Sequence, residues 1–343
     1  MSTAHGEKTL RVGVVGVGRI GKLHAEIVAR EVVGATLVAV ADSQAQLAEG
    51  AARETGVKAL SVDQLLEDTE IDVVAICSST DSHVDLLVAA ANTGKAIFCE
   101  KPISLSLAEV DRALRAIEKN NVALMIGFNR RFDPAHEAVH RAVASGEIGE
   151  PQLVRITSRD PEPPPISYIK VSGGIFLDMT IHDFDMARYV TSSEVVEVFA
   201  QGAVRIDAAI GEVGDLDTAV VTLRHENGCL TLIDNSRQAV YGYDQRVEVF
   251  GSKGLAQSDN PLVYTSMVRT GDGTRQPTLN HFFLERYRIS YLREWQAFVD
   301  ALVTDGSMPI SGRDGRASLV LGLAAKRSIE LDRPVEVAEI DVE

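Results

Sequence analysis

The sequence predicts an α/β protein: an N-terminal doubly wound parallel sheet, followed by a C-terminal α/β domain with a large, mostly antiparallel open sheet. Three observations predict it. As far as Phe128, short apolar runs alternate with helical stretches. Those runs are continuous, as in strands buried on both faces by helices, and not alternating. Beyond Phe128 the rhythm changes, and several strand-like runs follow one another without a helix between them. The expected division is a first domain over 1–128 and a second over 129–343, a length that suits about two domains.

Taken in order, "LRVGVVGVGRIG" (Leu10–Gly21) opens as a β-branched strand and turns into glycines, and His24–Val32 reads as helix. Thr36–Asp42 is the second strand, "DQLLED" a short helix and Ile71–Cys77 a further strand. Asp81–Gly94 is a helix closed by glycine, Lys95–Glu100 a strand, Ser106–Asn121 a helix and Val122–Phe128 a strand. "DPAHEAVHRAVASGEIG" then reads as a helix ending at glycines, and "PQLVRITSRD" as a strand. "PEPPP" (Pro161–Pro165) is a loop, because proline is excluded from helix interiors and central strands. "GGIFLDMTIHDFDMARYV" (Gly173–Val190) is expected to be one helix. Strands are expected at Val195–Ala200, Thr218–Arg224, Gly228–Asn235 and Gln245–Gly251. "YLREWQAFVDALV" and "GRASLVLGLAAKRSIE" are closing amphipathic helices, which the domain division allows to pack back on the first domain.

The formal net charge of −15 repels phosphate backbones and anionic lipid, so nucleic acid and membrane are excluded as partners. Any phosphate must be held by local geometry. Cys77, Cys99 and Cys229 are scattered, with no CxxC, which fits free thiols in a reducing cytoplasm. "MSTAHGEKTL" has no apolar core of a secretory leader, and no apolar run is long enough for a membrane span.

Gly16-Val17-Gly18-Arg19-Ile20-Gly21 is G-x-G-x-x-G, weak by itself. Here it follows a strand, opens a helix, and precedes Asp42 at the end of the next strand. That whole pattern is the dinucleotide-binding fingerprint. The glycines permit a tight turn and close approach of the backbone to a pyrophosphate, and the helix N-terminus attracts its charge. Arg19 is placed toward the pyrophosphate region or solvent. A carboxylate at Asp42 accepts from the adenosine ribose hydroxyls and repels a 2′-phosphate, which favours NAD. Ligands of open parallel sheets bind beyond the carboxyl ends of the strands. Ser78, Ser79, Thr80 and, one turn on, His83 follow one such end. Glu100 and Lys101 stand at another, with Lys101 held between an apolar run and Pro102.

Asp178, His182 and Asp185 share one face if Gly173–Val190 is helical, with Asp183 pointing elsewhere. A carboxylate one turn from an imidazole orients it, and such a histidine suits proton transfer near neutral pH. No zinc-binding pattern accompanies it, so no metal is expected.

In this order the residues resemble the Gfo/Idh/MocA family of oxidoreductases over essentially the full length. The resemblance rests on "GVGRIGKLH" (Gly16–His24), "CEKP" (Cys99–Pro102), "GFNRRFDP" (Gly127–Pro134) and "GGIFLDMTIHDFDMARY". "SRDPEPPPISYIK" (Ser158–Lys170) and "YGYDQRVEVFGSKG" (Tyr241–Gly254) are similar to the inositol 2-dehydrogenase branch. The resemblance implies a Rossmann domain, a C-terminal open sheet used in homotetramers, and a cis bond at Lys101–Pro102. It implies Lys101, Asp178 and His182 as the catalytic set. Around a polyol it places Arg130, Ser158, Asp160, Asp185, Tyr241 and Tyr243 together with that set. The implied activity is NAD-dependent oxidation of myo-inositol to 2-keto-myo-inositol (scyllo-inosose). Two other readings stay open: the same chemistry on scyllo-inositol, a hexose or another sugar, and a dinucleotide-binding sensor without turnover.

Overall fold

The structure is a computed structural model and describes residues 9–341. The N-terminal stretch on which the expectation of no leader rests falls almost wholly outside the described residues. Two compact units emerge: residues up to Asn129 together with Ser290–Arg316, and Arg130–Ile289 with the residues from Ala317 on.

The first unit is built on six strands, β1 (Leu10–Val15), β2 (Ala35–Ala41), β3 (Lys58–Leu60), β4 (Val73–Ile76), β5 (Ala96–Glu100) and β6 (Leu124–Gly127). All pair in parallel, in the order β3-β2-β1-β4-β5-β6. The continuous apolar runs have the expected cause: Val12, Val14, Val40, Val74, Ile76 and Phe98 are fully buried. The crossovers are α1 (Arg19–Arg30), α2 (Ala45–Thr55), α3 (Val62–Glu67), α4 (Thr80–Asn92) and α5 (Leu107–Asn120). Strand order reverses between β1 and β4, so their carboxyl ends flank the switch point where such sheets take ligands. The returning segment contributes core: Trp295 is fully buried and stacks on Phe98 at 4.7 Å.

The second unit begins with a 3₁₀ turn at Asn129–Phe132 and α6 (Pro134–Ala144), capped by the Asp133 carboxylate on the amides of Ala135 and His136. Its strands are β7 (Pro151–Arg159), β8 (Val195–Ala203), β9 (Thr218–His225), β10 (Leu230–Ser236), β11 (Asp244–Gly251) and β12 (Gly254–Ser258). A small hairpin of β13 (Val268–Thr270) and β14 (Gly273–Arg275) stands apart, and β15 (Val335–Glu336) joins the large sheet. The seven-stranded order is β12-β11-β7-β10-β9-β8-β15. Every pair is antiparallel except β7 with β10. Burial alternates along these strands, as it does when one face carries the core; in β9, Ala219, Val221 and Leu223 are inside. On the other face Leu255, Phe250, Leu153 and Leu230 stand in register across four strands. Three of them, Leu255, Phe250 and Leu230, are 47–50% exposed.

The helices of this unit are α7 (Ile166–Ser172), α8 (Ile175–Asp178), α9 (Ile181–Thr191), α10 (Ala208–Glu212), α11 (Phe283–Arg286), α12 (Arg288–Val303), α13 (Gly312–Leu331) and α14 (Val337–Asp341), with most of α12 and the first turn of α13 counted in the first unit. The expectation of one helix over Gly173–Val190 is corrected. Gly173 and Gly174 have φ of 88° and 81°, and the helix starts only after them. It is then interrupted at Met179–Thr180, where the Thr180 hydroxyl donates to Asn235 at 2.5 Å and shares that hydrogen with the Ile175 carbonyl at 3.2 Å. A threonine that bonds back to the preceding turn competes with the helical ladder. Among the described residues, no helix is long and apolar enough to cross a membrane.

Candidate active site

In the first unit the glycine loop is shaped by what a side chain would strike. Gly16 has φ of 86°, and a Cβ there would lie 2.5 Å from the backbone of Ser78, in the turn after β4. A Cβ on Gly21 would lie 1.8 Å from the Gly16 carbonyl oxygen. Gly18 differs: its Cβ would meet nothing within 4 Å, and it sits at the N-cap of α1 with no side chain to offer. Two glycines thus serve loop and helix packing, and the third leaves the backbone open where an anion would approach the helix N-terminus. This cradle fits the pyrophosphate of a dinucleotide.

Asp42 joins the loop to the end of β2. One carboxylate oxygen accepts from the Val17 amide and the other from the Gln44 amide, each at 2.9 Å. Arg19 is exposed, Ile20 half-buried. Ser78 and Ser82 share a hydroxyl–hydroxyl bond of 2.6 Å, and Ser79 and Thr80 begin α4. His83 is not placed as a cofactor ligand: it is buried, and its ring nitrogens face the carbonyls of Pro102 at 2.9 Å and Ser78 at 3.0 Å. Burial holds its pKa below the usual imidazole value. The ring braces the end of β4 against the turn after β5. Glu100 is also interior, bonded to His24 at 2.7 Å and accepting from the Lys101 amide at 3.2 Å. Lys101 is half-buried at the head of a cis bond to Pro102. Burial pushes the Cys77 and Cys99 thiols well up, which makes them packing groups.

The second unit gathers a separate polar cluster. Arg130, from the 3₁₀ turn, is buried and bonds Asp183 at 2.6 Å and the Ser158 hydroxyl at 3.3 Å. Burial opposes its charge, but the electrostatic pull of Tyr287, Tyr243, Asp183 and Asp160 outweighs it and raises its pKa. Ser158 donates onward to Gln245. Asp178 closes α8 with both oxygens taken, one by the Tyr168 hydroxyl at 2.9 Å and one by Arg237 at 3.3 Å. Arg237 has no solvent exposure and also reaches Asp215, which in turn accepts from the Ile175 amide at the start of α8. Asp160 lies within the field of Asp178. Burial first, and the Asp178 charge second, push its carboxyl up to about 6 against the pull of Arg130 and Arg237. Tyr243 is buried edge-on to Tyr287 at 5.9 Å. His182 is half-buried in the first turn of α9.

Arg130, Ser158, Asp160, Asp178 and Tyr243 are therefore brought into one electrostatic neighbourhood. Asp185 and Tyr241 are held by other partners. Asp185 is buried in a two-pronged ion pair with Arg131, and the break at Met179–Thr180 separates Asp178 from the helix that carries His182 and Asp185. The Tyr241 hydroxyl donates to Asp244 and accepts from Arg159. Asp183, set aside in the sequence, is the carboxylate that holds Arg130. Tyr168 and Arg237 had no local signal: the first is an ordinary tyrosine in a loop-borne helix, and the second is 59 residues from its partner Asp178.

Residues 10–128 match the oxidoreductase family with an NAD-binding Rossmann fold, and residues 136–257 match the GFO/IDH/MocA C-terminal domain. The chain belongs to the Gfo/Idh/MocA oxidoreductase family. Within it, the chain is 50% identical over 333 residues to the myo-inositol 2-dehydrogenase of Thermotoga maritima, covering 96% of this chain and 99% of that one. It is 47% identical over 330 residues to the inositol 2-dehydrogenase of Rhizobium meliloti, covering 96% and 100%. The crystal structure of a myo-inositol dehydrogenase from Corynebacterium glutamicum superposes with a TM-score of 0.92 at 40% identity, covering 96% of this chain and 98% of that one. The cofactor of this family member is NAD, and the glycine cradle of the first unit has the form that cofactor needs.

Proposed function

We propose that the chain oxidises myo-inositol at its axial hydroxyl to the 2-keto product, with NAD as acceptor. The observation that carries this reading is identity of 50% and 47%, over 96% of this chain, to two proteins named as inositol 2-dehydrogenases. The polar cluster of the second unit supports it. A polyol offers hydroxyls and no charge, so it needs many donors and acceptors already held in place. Arg130, Ser158, Asp160 and Asp178 are such groups, each fixed by a partner or by burial.

NAD bound at the glycine loop supplies the acceptor for the hydride leaving the substrate carbon. His182 takes the hydroxyl proton as general base. Lys101 and Asp178 hold that hydroxyl and stabilise its developing negative charge. Arg237 and Tyr168 fix the Asp178 carboxylate, so its orientation is set before substrate arrives. Arg130, Ser158, Asp160 and Tyr243 hold the remaining hydroxyls. Asp185 is assigned to holding Arg131, and Tyr241 to the Asp244–Arg159 network at the rim.

The same reading makes the protein a cytoplasmic homotetramer. The assembly is supported by the apolar row Leu255–Phe250–Leu153–Leu230 on the outer sheet face, all but Leu153 exposed. Light scattering tests it: Phe250→Glu should dissociate the assembly, and a wild-type monomer would contradict it. The activity itself is tested by steady-state formation of reduced nicotinamide from myo-inositol by the wild type and His182→Ala. Undiminished turnover in the variant would remove the assigned base.

A further inference from the structure

Beneath the turn that carries Lys101 runs a line of three buried side chains within the first unit. Trp295, from α12, donates its indole Nε1–H to His24 Nδ1 at 2.8 Å. His24, on the inner face of α1, lies 2.7 Å through Nε2 from Glu100 Oε1. The other carboxylate oxygen of Glu100 accepts from the Lys101 amide at 3.2 Å. Trp295 and His24 have no solvent exposure, and Glu100 has 7%.

The direction of each bond follows from chemistry. An indole nitrogen can only donate, so His24 Nδ1 must present its lone pair. The neutral ring then carries its proton on Nε2, aimed at the carboxylate. The other tautomer would set N–H against N–H at one end and a lone pair against a carboxylate at the other. Gly127 on the neighbouring strand makes room for the Glu100 carboxylate: a Cβ there would lie 3.2 Å from its carboxylate carbon and oxygen. Phe98 stacks on Trp295 and tilts against His24 at 5.1 Å, holding both rings in place.

We propose that Trp295 and His24 are positioning residues for Lys101: the indole fixes the tautomer of His24, His24 fixes the Glu100 carboxylate, and that carboxylate fixes the backbone from which the Lys101 side chain departs. This rests on the reading of Lys101 as a catalytic group. It gives a role to the histidine that ends "GVGRIGKLH" and to the tryptophan of the returning segment, neither of which the polyol or cofactor contacts use.

Five variants and one spectrum test it. Trp295→Phe keeps an aromatic ring against Phe98 and removes the donor. His24→Leu removes both bonds, whereas His24→Gln keeps an acceptor for the indole and a donor for Glu100 at similar spacing. Trp295→Phe and His24→Leu should lower kcat about tenfold or more, on the scale of a misplaced catalytic group, with KM for NAD nearly unchanged, and His24→Gln should restore most of the rate. In a Lys101→Ala background, Trp295→Phe should cause no further loss of residual turnover. Full kcat in Trp295→Phe, no rescue by glutamine, or an added loss in the lysine-free background would each overturn the proposal. Lys101→Ala alone separates the two ideas. Wild-type turnover there overturns the catalytic reading and the relay with it, while lost turnover with an undisturbed Trp295→Phe overturns the relay only. Nitrogen NMR of the wild type, with the histidines labelled and the ring neutral, should show His24 as the Nε2–H tautomer; the Nδ1–H form would contradict the relay.

Discussion

The three glycines of the fingerprint should separate cleanly when each is replaced by alanine. In Gly21→Ala the new methyl would sit 1.8 Å from the Gly16 carbonyl oxygen, and contacts under 3.0 Å are not tolerated, so the loop must open by more than an ångström. Forced overpacking of this kind costs about 1–3 kcal/mol, which in a chain of 343 residues lowers Tm by roughly 1.4 °C per kcal/mol. In Gly18→Ala the methyl meets no protein atom and the backbone, with φ of −66°, is ordinary for alanine. Its stability without cofactor should stay close to wild type. The methyl instead occupies the approach to the first turn of α1, and NAD affinity should fall at least ~10-fold, or about 1.4 kcal/mol. The assay is a thermal melt with and without NAD. A ligand at about a hundred times its Kd stabilises the wild type by roughly 2.7 kcal/mol, so a shift is easily seen. Gly18→Ala should have the wild-type melt alone and a much smaller shift with NAD. Gly21→Ala should melt lower even without it. A full NAD shift in Gly18→Ala, or an unchanged melt in Gly21→Ala, would refute the division of labour among these glycines.

Three further outcomes follow from the clusters described. Arg237→Met removes the shared partner of Asp178 and Asp215 and leaves two largely buried carboxylates behind. It should cost about 3–5 kcal/mol in urea denaturation and lose turnover as well, and a near-wild-type midpoint would contradict the clamp. Asp160 keeps its proton to about pH 6 in the folded chain, against a reference value of 3.8. The folded state therefore binds more protons between these values, and stability should fall as pH rises through that window, by about 3 kcal/mol at most. Asp160→Asn should lack this component, and identical pH–stability curves for the two proteins would show that the carboxyl titrates normally. Asp42 should make kcat/KM for NAD exceed that for NADP by more than ~10-fold. Because it also holds the Val17 and Gln44 amides, Asp42→Ser with Ser43→Arg should narrow the preference while lowering stability. Equal use of NADP by the wild type would mean that Asp42 does not face the ribose.

How much of this was legible depended on how local each cause is. Five of the six parallel strands could be read from the sequence, since a run such as Val73–Ile76 is apolar at every position only when both faces are covered; the exposed edge strand Lys58–Leu60 carries no such run. The glycine loop was legible because its turn, its helix and Asp42 follow one another in sequence. The pairing of β7 with β10 was not, because strand neighbours 77 residues apart leave no mark on either segment. The helix break at Thr180 depends on Asn235 across the fold, and a periodicity argument over Gly173–Val190 runs straight through it. The same limit explains the acidic residues of that segment. Spacing alone grouped Asp185 with Asp178 and left Asp183 out, whereas the arginines decide the matter: Arg130 takes Asp183 and Arg131 takes Asp185. Arg237, fully buried between Asp178 and Asp215, shows nothing in its own neighbourhood that would single it out.

The central claim is that this chain oxidises myo-inositol with NAD through His182 and Lys101. The most direct test is a substrate panel of myo-inositol, scyllo-inositol, common hexoses and aldoses, followed by the absorbance of reduced nicotinamide, for the wild type and for His182→Ala. The account predicts the highest kcat/KM on myo-inositol, and a fall of at least ~10²-fold in the variant with NAD binding retained. Turnover on a hexose but not on myo-inositol would contradict the substrate. NAD binding without turnover on any member of the panel would contradict the activity altogether.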